Sequence, residues 1–187
     1  MTIAEKYYQA EIKRPSDINE HLVTLQKYAL ECEHITEMGV RDIVSTWALL
    51  MGKPIRMISY DIELPKDSNR LIQLKNAAKE LNVDFELRIE DVLKVQIEST
   101  DLLFIDTLHR GSQLKKELAL HSWAVNKYII LHDTTTFALR GESDRHRPEI
   151  EDDGLTWALE EFLQGSSVWE VHEVFKNCNG LTILKRT

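Results

Sequence analysis

Five short clusters able to do chemistry punctuate the chain, each where an apolar run has just ended. The first is Glu37-Met38-Gly39-Val40-Arg41, followed by Ser45. An acid beside a glycine suits a ligand that carries an amino group. The carboxylate accepts from the amine, and glycine lets the backbone come close without a Cβ in the way. A helix amino end just beyond would add free N–H groups, with Arg41 and Ser45 in the same turn. The second cluster is Asp61, 24 residues after Glu37, an acid placed to accept both hydroxyls of a ribose. In the third, Glu90-Asp91-Val92, Asp91 can accept from an adenine amino group with Val92 against the ring. The fourth is Asp106-Thr107-Leu108-His109. An aspartate after Leu-Leu-Phe-Ile is costly to bury unpaired and must meet a donor, a cation or water. His109 beside it is a candidate base. The fifth is His132-Asp133-Thr134, with His132 as a second candidate base. If Asp106 and Asp133 close adjacent strands, their carboxylates either share a proton or hold a hard cation such as Mg²⁺. Each cluster also has a plain structural reading: a turn, a helix cap, a solvated acid or a packed histidine.

What would bring them together is an alternation of strand and helix patterns. Residues 33–38, 55–60, 83–87, 101–106 and 127–132 read as strands, the last two as near-continuous apolar runs of a central parallel sheet. Helical spacing runs over 42–51, 68–81, 112–125 and 154–163, and a further helix opens at Pro15-Ser16 with Ser16 or Asp17 as cap. Two last strand-like runs, 169–175 and 181–184, flank the turn residues Asn177-Cys178-Asn179-Gly180 and predict an antiparallel hairpin. This order predicts an α/β fold, a doubly wound seven-stranded sheet, mostly parallel with an antiparallel C-terminal hairpin strand. Residues 1–187 form a single domain, with N-terminal helices over 1–32 and a Rossmann-like core over 33–187. All five clusters then fall at carboxyl ends of strands, where such sheets bind ligands.

Bulk properties narrow the function. The chain has 187 residues, 43% hydrophobic and 29% charged, the balance of one globular domain. Its net charge of −8, with no basic stripe, speaks against a polynucleotide partner. No apolar run has the ~20 residues of a membrane span, and no leader pattern opens the chain, so the expected placement is cytoplasmic, away from membranes. Cys32 and Cys178 are too few for a disulfide framework. The polar stretch 136–153, with Arg140, Arg145, His146 and Arg147, reads either as a lid meeting an anionic acceptor or as a solvated loop.

Taken in order, Glu37-x-Gly39…Ser45, Asp61, Asp91, Phe104-Ile105-Asp106 and Ile130-Leu131-His132-Asp133-Thr134 resemble class I S-adenosylmethionine-dependent methyltransferases, nearest to the small O-methyltransferase-like and cephalosporin-hydroxylase-like proteins. The stretches Trp157–Leu163 and Asn179–Leu184 resemble theirs too, so the likeness spans residues 33 to 185. It implies S-adenosylmethionine as cofactor, with Glu37 and Gly39 at its methionine part, Asp61 at the ribose and Asp91 at the adenine. Arg41, Ser45, Val92 and Asp106 would complete the cofactor contacts. Metal-dependent relatives hold their ion with an Asp after the fourth strand and an Asp-Asn pair after the fifth. Asp106, Asp133 and Thr134 stand at those places, Thr134 replacing the Asn. Asp106, His109 and His132 would serve catalysis. The expected partner is a small-molecule or sugar hydroxyl acceptor, and the expected assembly a homodimer. The first loop lacks the family's usual second glycine, with Ile43 near that place.

Two rival functions differ in kind. A nicotinamide (NAD)-linked oxidoreductase would want G-x-G-x-x-G, but Arg41 and Val44 occupy the second and third glycine positions. A catalytically degenerate methyltransferase fold serving as an assembly subunit would tolerate the altered glycine loop.

Overall fold

The structure, a computed structural model, describes residues 1–143 and 153–187. Its centre is one seven-stranded sheet in the order β3-β2-β1-β4-β5-β7-β6. The strands are β1 (His34–Met38), β2 (Arg56–Asp61), β3 (Asp84–Ile89), β4 (Thr100–Ile105), β5 (Val125–His132), β6 (Trp169–Phe175) and β7 (Leu181–Arg186). Neighbours among β1 to β5 run parallel, and β7 runs antiparallel to both β5 and β6. The predicted fold class and terminal hairpin are therefore what the chain forms. Its turn uses left-handed backbone at Cys178, Asn179 and Gly180 (φ 44°, 69° and 97°).

Helices cover both faces: α1 (Ile3–Lys13), α2 (Leu22–Ala29), α3 (Ser45–Leu50) and α4 (Ser68–Glu80) on one, α5 (Gly111–His121) and α6 (Leu155–Gln164) on the other. Strand residues alternate between the two layers, as the pleat requires. Leu102 and Phe104 of β4 pack toward α1–α4, while Leu103 and Ile105 pack toward α5 and α6. Both layers being covered explains why β4 and β5 read as unbroken apolar runs. Among the described residues, no helix is long and apolar enough to cross a membrane.

Three helix boundaries differ from the sequence reading by three residues or more, each for a local reason. The helix expected over 42–51 begins only at Ser45, because Arg41 and Ile43 adopt left-handed conformations (φ 42° and 59°) and hold 40–44 in a turn. The helix expected over 112–125 stops at His121. A 3₁₀ turn, Ser122–Ala124, follows, and Val125 is already paired with Thr100 at the foot of β5. At Pro15-Ser16, the Ser16 hydroxyl accepts from Asn19 N (3.0 Å), but the result is a 3₁₀ turn, Asn19–His21, and α2 starts at Leu22. Asp17 caps nothing there; its carboxylate pairs with Arg41.

Candidate functional site

Successive connections leave β1 in one direction toward β2 and β3, and in the other from β4 toward β5, so strand order reverses between β1 and β4. Sheets of this kind open a crevice at the carboxyl ends of such a pair. A cavity of about 190 Å³ lies there, lined among others by Ile18, Gly39, Arg41, Ser45, Asp106 and His109. Gly39 (φ 91°) is demanded by the sheet itself, since a Cβ there would fall 1.9 Å from the Asp106 carbonyl oxygen. Its lack of a side chain thus serves the junction of β1 and β4 as well as the cavity wall.

Glu37 is wholly buried beneath this loop and does not reach the cavity surface. Ser45 Oγ and Thr46 Oγ1 donate to its Oε1 (2.7 and 3.1 Å), and Ser59 Oγ donates to Oε2 (2.6 Å). Burial raises its pKa to about 7, against the pull of the three hydroxyls. An acid held by three donors fixes the start of α3, whose Ser45 does line the cavity.

Asp61 closes β2 as expected, but its carboxylate is already engaged. Oδ2 accepts from the N–H groups of Val40 (2.8 Å) and Arg41 (2.9 Å), and Oδ1 accepts from Glu63 N (3.1 Å). A carboxylate offers about four acceptor positions, so one remains for a ligand hydroxyl before the loop must let go. Beyond Arg41 and Asp42 lies a second cavity of about 400 Å³, lined by Asp61, Ile62, Glu63, Leu64 and Lys66. The Arg41 side chain, paired with Asp17 at 2.7 Å, stands between the two spaces. Asp91 and Val92 line neither cavity. Asp91 accepts from Leu93 N (3.0 Å) and pairs with Lys94 (3.1 Å). Val92 is buried in the layer under α5, its carbonyl 2.8 Å from His121 Nε2.

On the β4–β5 side of the crevice, the ends of these two strands place four side chains in one cluster. His109 Nε2 lies 2.8 Å from Asp133 Oδ2 and 3.3 Å from Asp106 Oδ1. His132 Nδ1 lies 3.2 Å from Asp106 Oδ1 and 3.1 Å from Asp133 Oδ2. Phe137 stacks on the His109 ring (centroids 4.7 Å, planes 6° apart). Asp133 itself sits in left-handed backbone (φ 60°) and is nearly inaccessible. Burial disfavours charge throughout, yet here the mutual hydrogen bonds and opposite charges outweigh it. Both imidazoles are pushed up to about 10 and Asp106 down to about 2, with Asp133 also lowered. With no ion between them, these contacts favour the imidazolium form of both histidines and the carboxylate form of both aspartates. Asp106, His109 and Asp133 form a group that could hold a metal ion, with one donor atom from each lying within 4.8 Å of the others. Thr134 points elsewhere, accepting from Thr182 Oγ1 at 2.9 Å.

The structure thus gathers Gly39, Arg41, Ser45, Asp106 and His109 on one cavity and sets Asp133 and His132 directly behind. Glu37 lies under the loop, Asp61 on the neighbouring cavity, and Asp91, Val92 and Thr134 outside both. Sequence reasoning did not single out Ile18 and Glu142 on the cavity wall, or Phe137 against His109. The alternating apolar signal of a strand end does not reach these residues, which come from the N-terminal turn and the loop after β5. Of the basic residues in the loop, Arg140 is exposed and forms an isolated antiparallel backbone bridge with Asp153, whereas Arg145, His146 and Arg147 lie outside the described residues.

No family model matches the chain, and no curated protein matches it in sequence. Solved structures match it over nearly its whole length. A methyltransferase from Podospora anserina, solved with SAH bound, is 14% identical with a TM-score of 0.58, over 99% of this chain and 88% of that one. An O-methyltransferase from Bacillus cereus, in complex with SAH, is 14% identical with a TM-score of 0.58, over 99% and 90%. A methyltransferase from Geobacter sulfurreducens is 13% identical with a TM-score of 0.59, over 98% and 87%. With its reversed seventh strand and its crevice between β1 and β4, the chain has the Rossmann-like fold of the class I methyltransferases.

Proposed function

We propose that the protein is an S-adenosylmethionine-dependent methyltransferase acting on a hydroxyl of a small molecule or sugar. The observation that carries this reading is the convergence of Gly39, Ser45, Asp106 and His109 on one cavity at the switch in strand order. The fold is one whose solved neighbours include proteins crystallised with SAH.

The cofactor would supply an electrophilic methyl group on a sulfonium, which leaves little covalent work for the protein beyond positioning. Ser45 and the turn at Gly39–Arg41 would receive the methionine end. The remaining acceptor position of Asp61 would take a ribose hydroxyl, with the adenine beyond it in the larger cavity beside Ile62 and Leu64. Asp106 and His109, which line the smaller cavity from the end of β4, would orient the acceptor oxygen. Asp106, on the cavity wall, and Asp133 behind it would supply the negative charge on the acceptor side. A divalent ion held there would lower the pKa of an acceptor hydroxyl.

Calorimetric titration of the full chain with S-adenosylmethionine, SAH and NAD tests the reading. SAH binding that is lost in Asp61→Ala supports it. NAD binding without SAH binding would replace it with the oxidoreductase. The engagement of Asp61 by Val40 and Arg41 favours one second reading, an assembly subunit that keeps the fold without the reaction. Binding of neither cofactor would support that alternative.

A further inference from the structure

We infer that Asp106, His109 and Asp133 form a mixed nitrogen–oxygen site for a first-row divalent transition ion such as Mn²⁺, Fe²⁺ or Zn²⁺, in preference to Mg²⁺. This rests on the reading that the acids at the ends of β4 and β5 face the acceptor, but it changes both the ligand set and the ion. The resemblance offers three oxygen donors, with Thr134 as the third. Thr134 Oγ1 is instead occupied by Thr182 at 2.9 Å. In its place the His109 imidazole enters between the two carboxylates, at 2.8 Å from Asp133 Oδ2 and 3.3 Å from Asp106 Oδ1. Donors about 3 Å apart match neighbouring ligands around an ion bound at roughly 2.0–2.2 Å.

Four further observations belong to a built site. The His109 ring is clamped by Phe137, at 4.7 Å between centroids. Its other nitrogen, Nδ1, lies 3.1 Å from Glu142 Oε2, although off the hydrogen-bond angle. A small turn of the Glu142 carboxylate would let Nδ1–H donate to it and leave the Nε2 lone pair for an ion. That is how a carboxylate commonly fixes a ligating histidine. Asp133 Oδ1 is buried without a hydrogen-bond partner, on a side chain only 3% exposed, so this carboxylate has acceptor capacity that the protein leaves unused. His132 Nδ1 reaches both carboxylates from behind, at 3.2 and 3.1 Å, and orients them. A bound ion would take the place of the Nε2 proton between the same two oxygens. Mg²⁺ favours an all-oxygen octahedron and gains little from an imidazole, whereas imidazole suits the later divalent ions.

The test is equilibrium binding of Mn²⁺, Zn²⁺ and Mg²⁺ to the full chain, with electron spin echo spectroscopy of the Mn²⁺-loaded protein to detect a coordinated imidazole nitrogen. The expected result is one equivalent of Mn²⁺ or Zn²⁺ bound at least about tenfold more tightly than Mg²⁺, with nitrogen modulation present. His109→Ala should abolish the modulation and weaken binding about 10–100-fold. His109→Gln, which offers an amide oxygen of similar reach to Nε2, should shrink the preference over Mg²⁺ to less than about threefold. Thr134→Ala should leave ion affinity unchanged. No ion binding, equal or tighter Mg²⁺ binding, or modulation that survives in His109→Ala each overturns the inference. SAH titration of the same metal-free protein separates the two claims. SAH binding without ion binding removes only the metal site, and ion binding without SAH binding removes only the methyl-transfer reading.

Discussion

Among the described residues, the groups that donate to Glu37 are hydroxyls, those of Ser45, Thr46 and Ser59. Its folded pKa, raised to about 7 by burial, exceeds the ordinary value of 4.5. The sign follows from which state holds the proton. Below pH 4.5 both the folded and unfolded chains keep it, and the contribution to stability is fully present. As pH rises toward 7 the unfolded chain ionises first, so stability falls until the folded acid ionises too. Glu37→Gln should flatten this slope, by an amount on the order of 3 kcal/mol between pH 4.5 and 7. Urea unfolding of both proteins at pH 5 and pH 8 measures it, and equal slopes would refute the assignment. Residues of this kind show how far the site was legible. Asp106, His109, His132 and Asp133 were readable because each closes an apolar run on what prove to be adjacent strands. Asp61 was readable as a strand-end acid, but not its engagement by Val40 and Arg41, because nothing in Val-Arg-Asp-Ile announces two left-handed non-glycine residues. Asp91 and Val92 sit in an acidic loop whose composition is the same whether it faces a ligand or, as here, binds its own Lys94.

At the scale of elements, the loop that carries Arg41 and Ile43 is held from outside. Arg70 of α4 donates to the Ile43 carbonyl through Nη2 (3.0 Å) and pairs through Nη1 with Glu11 of α1 (2.8 Å). Glu11 is 3% exposed and also pairs with Arg14. One guanidinium thus ties two helices to the turn that shapes the cavity, and left-handed backbone of this sort costs about 1–3 kcal/mol unless its surroundings hold it. Arg70→Met should destabilise the fold by roughly 2–3 kcal/mol, less than the loss of a wholly unsupported buried pair because Arg14 remains. Thermal unfolding reads the loss. SAH titration should show weakened binding even though Arg70 lines neither cavity, and an unaltered affinity would mean the turn holds its shape alone. The boundaries that moved, at Ser45 and His121, moved where backbone geometry overrode side-chain periodicity, which is the part of an element that spacing describes least well.

For the molecule as a whole, the doubly wound, mostly parallel sheet and its antiparallel terminal hairpin followed from the alternation of patterns and from Asn177-Cys178-Asn179-Gly180, whereas the order of the strands did not. The placement of the first 21 residues did not, because a helix before the first strand can pack on either face. They cover the α2–α3 side. Tyr7 stacks on buried Trp47 (4.5 Å, 8°), and Ile18 reaches the cavity wall. Removing residues 1–21 should expose Trp47, shift tryptophan emission to the red and lower Tm by about 10 °C or more. Unchanged emission and Tm would show that the segment is dispensable. One contact reaches across the whole design. With no Cβ on Gly39, the β1 loop rests directly on the backbone oxygen of Asp106, and a methyl there would meet it at 1.9 Å. There is no slack at that point. Whatever presses on the first loop presses equally on the residue at the head of β4, so the two ends of the crevice behave mechanically as one piece, and an occupant of one is felt by the other without any hinge between them.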